Sequence, residues 1–247
     1  NALNIANANT AQGNITTARD IYEKLNATYP GVDMVVVPFS EFEKINKNYK
    51  RSIELYKDRL NLGFSVNIYN RLGLVYLESG YYWRSIRVFR KIIELDAKCS
   101  GAYYNLATVL RGIKKYTKAA FYLEKTIEFS PGDYRLWRLL GEVRFEGGDY
   151  AGAVQAFVHP VHMECKEDRQ VFLSKLAFCY FKAGRVSEAV DTLYQLYCCS
   201  KYDDGKLDQL DAMHVVIADL VDKDELEHAR FILDYLCEIR SDDIHLI

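Results

Sequence analysis

Between Asn67 and Phe157 large apolar side chains recur at helical steps of three and four, and small residues interrupt them at regular places. Tyr69-x-x-Leu72-Gly73-x-x-Tyr76 is followed by Ser85-x-x-x-Phe89. Tyr103-x-x-Leu106-Ala107 is followed by Ala119-x-x-x-Leu123, and Trp137-x-x-Leu140-Gly141 by Ala153-x-x-x-Phe157. One ladder of small residues stands at 73, 107 and 141, the other at 85, 119 and 153, and both advance by 34 residues. Polar turns lie between the ladders: Glu78-Ser79-Gly80, Arg111-Gly112-Ile113-Lys114 and Glu146-Gly147-Gly148-Asp149. Glycine at such a place accepts the left-handed backbone that closes a helix. Each period is therefore predicted to hold a first helix, a turn and a second helix, with the small residues where the two backbones approach.

These residues resemble the tetratricopeptide repeat, whose 34-residue pattern is an aromatic, then Leu-Gly, Tyr, Ala, Phe and a closing Pro. The resemblance implies an all-α fold, a right-handed superhelical solenoid of stacked antiparallel helix pairs. One helix pair has too little core to stand alone, so neighbours must supply the rest.

Taken in order, 1–32 reads as a partial repeat: Ile5-Ala6, the turn Gln12-Gly13-Asn14, Ala18-x-x-x-Tyr22 and a closing Pro30. Asn1 falls near the third position of a repeat, so further repeats are expected upstream. Gly31–Pro38 breaks the pattern. Val35-Val36-Val37 before Pro38 favours an extended segment. Helical spacing returns from Phe39 to Leu60, with Ser40 as cap and Glu43 as its capping-box partner. Residues 33–65 are expected to be a degenerate repeat, or a linker followed by one long helix. Residues 66–167 hold the three clear repeats, with Pro160 expected to shorten or kink the last helix and His159–Lys166 expected to be irregular. Residues 168–200 form a fourth clear repeat, through Leu176-Ala177 and Ala189-x-x-x-Leu193. Residues 201–247 read as a polar loop and a C-terminal capping helix pair, with Ile217-Ala218 and Ala229-x-x-x-Leu233.

Composition adds limits. The 247 residues carry a net charge of −2 and a pI near 6.3, which gives no global pull toward nucleic acid or anionic membrane. Neither an 18-residue apolar run nor a signal-peptide pattern stands out, so no direct membrane insertion is expected. Six cysteines occur without a Cys-x-x-Cys pair, and we read them as reduced thiols, consistent with a cytoplasmic chain. Cys179 and Cys237 fall on apolar helix faces. No catalytic constellation emerges: a Gly-rich phosphate loop, Gly-x-Ser-x-Gly and His-Glu-x-x-His are all missing from the sequence. Neither cofactor nor metal is expected. His159-x-x-His162-x-x-Cys165 has ligand residue types but lacks an evident fourth ligand, and a turn with exposed polar groups is the plainer reading. Cys198-Cys199 reads as a helix end rather than a redox pair. In Tyr81-Tyr82-Trp83, Tyr82 or Trp83 is expected to pack at the start of a second helix, the alternative being an exposed contact site.

The family resemblance implies that the first helices line a concave groove. Mapped onto this chain, the groove positions include Asn67, Asn70, Arg71, Leu74, Tyr104, Asn105, Thr108, Arg111, Arg135, Arg138, Glu142, Val171, Ser174, Lys175 and Phe178. The expected partner-binding set is Asn70, Arg71, Tyr104, Asn105, Thr108, Arg111, Arg135, Arg138 and Lys175. Its cations Arg71, Arg135, Arg138 and Lys175 suit an acidic peptide or a C-terminal carboxylate; the alternative is solvated repeat surface. The family's carboxylate clamp for chaperone C-termini is not expected, because only Asn105 and Arg135 match it, while Asn70 and Leu139 stand where cations are needed and Leu74 where an asparagine is. The function expected is a non-catalytic protein–protein interaction scaffold of a multiprotein assembly. The alternatives are a ligand- or peptide-sensing receptor, and the substrate-positioning arm of an enzyme whose catalytic domain lies elsewhere. The sequence does not fix the oligomeric state.

Overall fold

A computed structural model describes residues 2–162 and 169–185, with 188–189, 191–193, 195, 221, 226, 230 and 233. The chain forms two compact units, Asn1–Phe129 and Ser130–Ile247. The first contains α1 (Ala2–Ala11), α2 (Ile15–Thr28), α3 (Asp33–Ile45), α4 (Tyr49–Asn61), α5 (Val66–Glu78), α6 (Tyr82–Leu95), α7 (Ser100–Gly112) and α8 (Tyr116–Phe129). The second contains α9 (Tyr134–Glu146), α10 (Tyr150–His162) and α11 (Arg169–Lys182). In the first unit, α1 packs on α2, α3 on α4, α5 on α6 and α7 on α8, and each pair rests on the next. In the second, α10 packs on both α9 and α11. The fold is all-α, built from sequentially packed helix pairs.

The geometry gives the small-residue ladders a cause. Gly73 lies against Phe89: a Cβ there would sit 2.6 Å from the ring. Gly141 meets Phe157 in the same way, also at 2.6 Å. Each large residue lies 16 positions after its small one. The same offset joins Ala6 to Tyr22, Ser40 to Tyr56, Ala107 to Leu123 and Ala177 to Leu193, all of them buried. Glycine thus stands where the partner is phenylalanine, while alanine or serine stands opposite leucine or tyrosine. The second ladder runs Ala18, Ser52, Ser85, Ala119, Ala153 and Ala189, each 12 positions after the first-ladder residue and each buried. The Ser85 hydroxyl donates to the Gly73 carbonyl at 2.7 Å, tying the two helices together.

The turns follow a third ladder. Gly13, Lys47, Gly80, Lys114, Gly148 and Gly184 all have positive φ, each seven positions after its small residue. In the α7–α8 turn it is Lys114 that takes this conformation, at φ 58°, while Gly112 closes α7. The glycine named from sequence was two positions early.

The segment Val35–Pro38 is helical, not extended. Burial decides against local propensity: Val35, Val36 and Phe39 all join the core. Pro38 sits inside α3, where it removes one helical N–H donor. Ser40 is not a cap but a buried mid-helix residue, at the small position that faces Tyr56. Glu43 is fully buried and accepts a two-pronged Arg19 guanidinium at 2.6 and 3.0 Å and the Asn48 amide at 2.7 Å. Residues 46–48 turn the chain, so α3 and α4 form a helix pair rather than one long helix. α10 continues through Pro160 to His162, beyond where the proline was expected to end it. Residues 163–168, the Cys198-Cys199 pair, the 201–207 loop and most of the final helix pair lie outside the described residues.

Candidate functional site

In the first unit, α3, α5 and α7 are first helices, and their polar residues meet side by side. The Asn105 amide donates to Asn70 Oδ1 at 2.7 Å, linking α7 to α5. Arg71 donates to Asn67 Oδ1 at 3.2 Å and to Glu41 Oε1 at 3.3 Å. Lys44 pairs with Glu41 at 2.7 Å and with Glu78 at 3.3 Å. The Tyr56 hydroxyl donates to Glu41 Oε1 at 3.2 Å. Tyr104 is 41% exposed, and its carbonyl accepts the Thr108 hydroxyl at 3.0 Å. Arg111 is half-buried and has partners within the chain.

Glu41 is the hub of this network. Burial acts to raise its carboxyl pKa, but Lys44, the Tyr56 hydroxyl and Arg71 outweigh it and hold the group below its ordinary value. Burial and the Glu41 charge push the Tyr56 phenol above its ordinary range. Lys44 is raised: burial opposes its charge, but Glu41 and Glu78 prevail. The carboxylate and the amine therefore stay charged near neutral pH.

In the second unit the expected cations also have partners. Arg135 binds Asp133, the cap of its own helix, at 3.0 Å, and this bond lowers the Asp133 carboxyl. Lys175 pairs with Glu142 at 3.7 Å. Arg138 has partners as well. Phe178 is buried here, and Leu74 in the first unit is half-buried. The side chains of Val171 and Ser174 lie outside the described residues.

Sequence reasoning missed Glu41, Lys44 and Glu78, because α3 was not read as a first helix. The signal was present. Glu41 follows the small residue Ser40 as Leu74 follows Gly73 and Glu142 follows Gly141. In both units the carboxylate at that place binds a cation on the next first helix, Arg71 in one case and Lys175 in the other.

Other candidates resolve simply. His159 stacks on Trp137 with ring centroids 3.7 Å apart, while the indole N–H donates to the Pro131 carbonyl at 2.9 Å. The His162 side chain and Cys165 lie outside the described residues, and no metal-binding group of three or more occurs within them. Cys99 and Cys179 are free thiols. Burial pushes the Cys179 thiol up to about 12, so it is neutral and acts as a small apolar side chain. Tyr81, Tyr82 and Trp83 are all exposed, Trp83 at 73%. The expected packing of Tyr82 or Trp83 is not what the helix start adopts. Among the described residues no helix is long and apolar enough to cross a membrane.

Comparison with known proteins gives a consistent picture. Tetratricopeptide repeat models match residues 66–99 and 100–133, and residues 2–31 and 173–197. A TPR repeat-containing protein of Methanocaldococcus jannaschii is 22% identical over 171 residues, which is 67% of this chain but 29% of that protein. The match thus spans under a third of this relative's length. The C-terminal part of a TPR repeat-containing protein from Cytophaga hutchinsonii superposes with a TM-score of 0.64 at 14% identity, covering 93% of this chain and 92% of its own. YrrB, described as a TPR protein with an unusual peptide-binding site, gives a TM-score of 0.58 at 17% identity, with 78% and 96% covered. At these identities the structural likeness is one of fold.

Proposed function

We propose, from the premise that this chain is a tetratricopeptide repeat protein, that it is a non-catalytic scaffold holding an extended segment of a protein partner within a larger assembly. Proteins with such repeats bind proteins and peptides, and one chain of the same fold carries a peptide-binding site. The observation that carries the reading is the Asn70–Asn105 pair on adjacent first helices. A side-chain amide has two N–H donors and an oxygen with two lone pairs. The single bond between the two residues leaves most of that capacity for a peptide main chain. Tyr104 adds an exposed ring beside Asn105. Lys44 and Arg71 are balanced by Glu41 and Glu78, so this face is suited to the uncharged backbone of a segment more than to a carboxylate. The buried free thiol Cys179 supports a reducing compartment, the cytoplasm.

The test is an affinity capture from source lysate with the wild-type chain, an Asn70→Ala/Asn105→Ala variant and an Asn70→Ala/Tyr104→Ala variant. Main-chain hydrogen bonds contribute about 0.5–1.5 kcal/mol each, so loss of two or three should lower partner recovery at least about fivefold. Equal recovery of the same partners by all three chains would refute the reading.

A further inference from the structure

We propose that a crevice between α4 and the start of α6 is a second docking site, one that takes an acidic peptide segment. It has a volume of about 360 Å³ and is lined by Tyr49, Lys50, Glu54, Lys57, Tyr81 and Arg84, among others. Its charged walls come from two second helices, so it is distinct from the face that bears Asn70 and Asn105.

The charge balance inside it is one-sided. Lys50, Lys57 and Arg84 make no ion pair among the described residues. The one carboxylate, Glu54, is already engaged by Arg51 at 3.6 Å. Three like charges around one crevice repel each other, and an incoming anion relieves that cost. Arg84 is also held in place. Its guanidinium lies 5.0 Å from the Tyr81 ring centroid and 5.9 Å from that of Tyr76. Stacking of this kind fixes the cation while leaving its N–H edge for a carboxylate fork. The first turn of α6 carries no acidic residue and no side chain caps it, so the helix adds its own positive end.

The surface continues beyond the crevice. Arg84, Arg87 and Arg90 recur at steps of three along α6, all exposed, and neither Arg87 nor Arg90 forms an ion pair among the described residues. Trp83 stands beside them. A run of cations leading from an aromatic-walled crevice matches a short acidic chain segment. The net charge of −2 argues against nucleic acid as occupant. The apolar face of α6 is already buried through Ile86, Phe89 and Ile92, which argues against a membrane surface. Carboxylate and phosphate share the required chemistry.

The experiment is fluorescence anisotropy on the full chain with three labelled octapeptides: alternating glutamate and glycine, the same with a central phosphoserine, and alternating glutamine and glycine. The glutamate peptide should bind at least tenfold more tightly than the glutamine peptide, and binding should weaken as salt rises. A gain from phosphoserine would identify phosphate as the preferred anion; no gain would identify carboxylate. Lys50→Glu/Lys57→Glu/Arg84→Glu should lose at least tenfold, and Lys57→Gln alone about threefold. The latter is a mild change at an exposed position and keeps the test valid if the triple variant misfolds. Asn105→Ala should bind the peptide unchanged. The proposal is overturned if Lys57→Gln and the triple variant stay within twofold of wild type, or if the glutamine peptide binds equally. Tighter, Arg84-dependent binding of anionic vesicles or single-stranded DNA would also overturn it.

Discussion

Gly73→Ala is the sharpest probe of how the helix pairs are held. In an exposed helix interior this change stabilises, because alanine is favoured over glycine by about 1 kcal/mol. At position 73 the added methyl would lie 2.6, 2.7 and 3.1 Å from three ring atoms of Phe89. Ordinary carbon contacts are about 3.5–4.0 Å, so the ring must retreat by roughly 1 Å. Phe89 is fully buried, so its ring cannot swing out into solvent without losing that burial. Overpacking of this kind costs about 1–3 kcal/mol, which cancels or exceeds the helical gain. Gly101→Ala is the matched control, since nothing lies within 4 Å of a Cβ there. Gly101 lies in the first turn of α7, where the helical gain is smaller than in the interior, yet Gly101→Ala should still be the more stable of the two, by up to about 3 kcal/mol. The assay is urea denaturation followed by helical circular dichroism. A double variant, Gly73→Ala with Phe89→Leu, recreates the Ala107–Leu123 combination. It should be more stable than the sum of its single changes by at least about 1 kcal/mol. If Gly73→Ala stabilised as much as Gly101→Ala, or if the double variant were additive, the account of the small-residue ladder would be wrong.

Three further outcomes follow from the same geometry. The Ser52 hydroxyl is buried without a partner, whereas its counterpart Ser85 bonds the Gly73 carbonyl. Ser52→Ala should therefore be neutral or stabilising, while Ser85→Ala should lose about 0.5–1.5 kcal/mol by the same denaturation assay. Lys114→Gly relieves a left-handed non-glycine residue and should raise the denaturation midpoint by up to about 1 kcal/mol equivalent. Glu41 has a lowered pKa in the folded chain. Its contribution is present above the unfolded value and lost as pH falls through the folded one. The group is partly exposed, so Glu41→Gln should cost about 0.5–1 kcal/mol at pH 7. In thermal melts against pH that gap should close as pH falls from about 4.5, the ordinary value.

The 34-residue step was legible because it marks positions where only a small side chain fits between two helices. Gly73 and Gly141 announce Phe89 and Phe157 in the sequence itself. α3 was not legible locally: three valines and a proline argue for an extended strand, and only the burial of Val35, Val36 and Phe39 reverses this. That one misreading hid Glu41 and Lys44, and with them the neutralisation of Arg71. Arg71 and Lys175 were picked out by their register, but their partners Glu41 and Glu142 sit 30 or more residues away, on neighbouring first helices. Such pairing depends on tertiary placement, which no local pattern reports. The Lys114 turn shows the opposite case. Counting seven positions from Ala107 finds it, whereas searching for glycine finds Gly112 instead.

The most direct measurement of the scaffold reading is site-specific photo-crosslinking in source lysate from position 104 on α7, with position 121 on α8 as the comparison. Tyr104 and Phe121 are both exposed, one on a first helix and the other on a second. The account predicts a defined partner adduct at 104 that disappears with Asn70→Ala/Asn105→Ala. An adduct at 121 but none at 104, or one at 104 that survives loss of both asparagines, would contradict it.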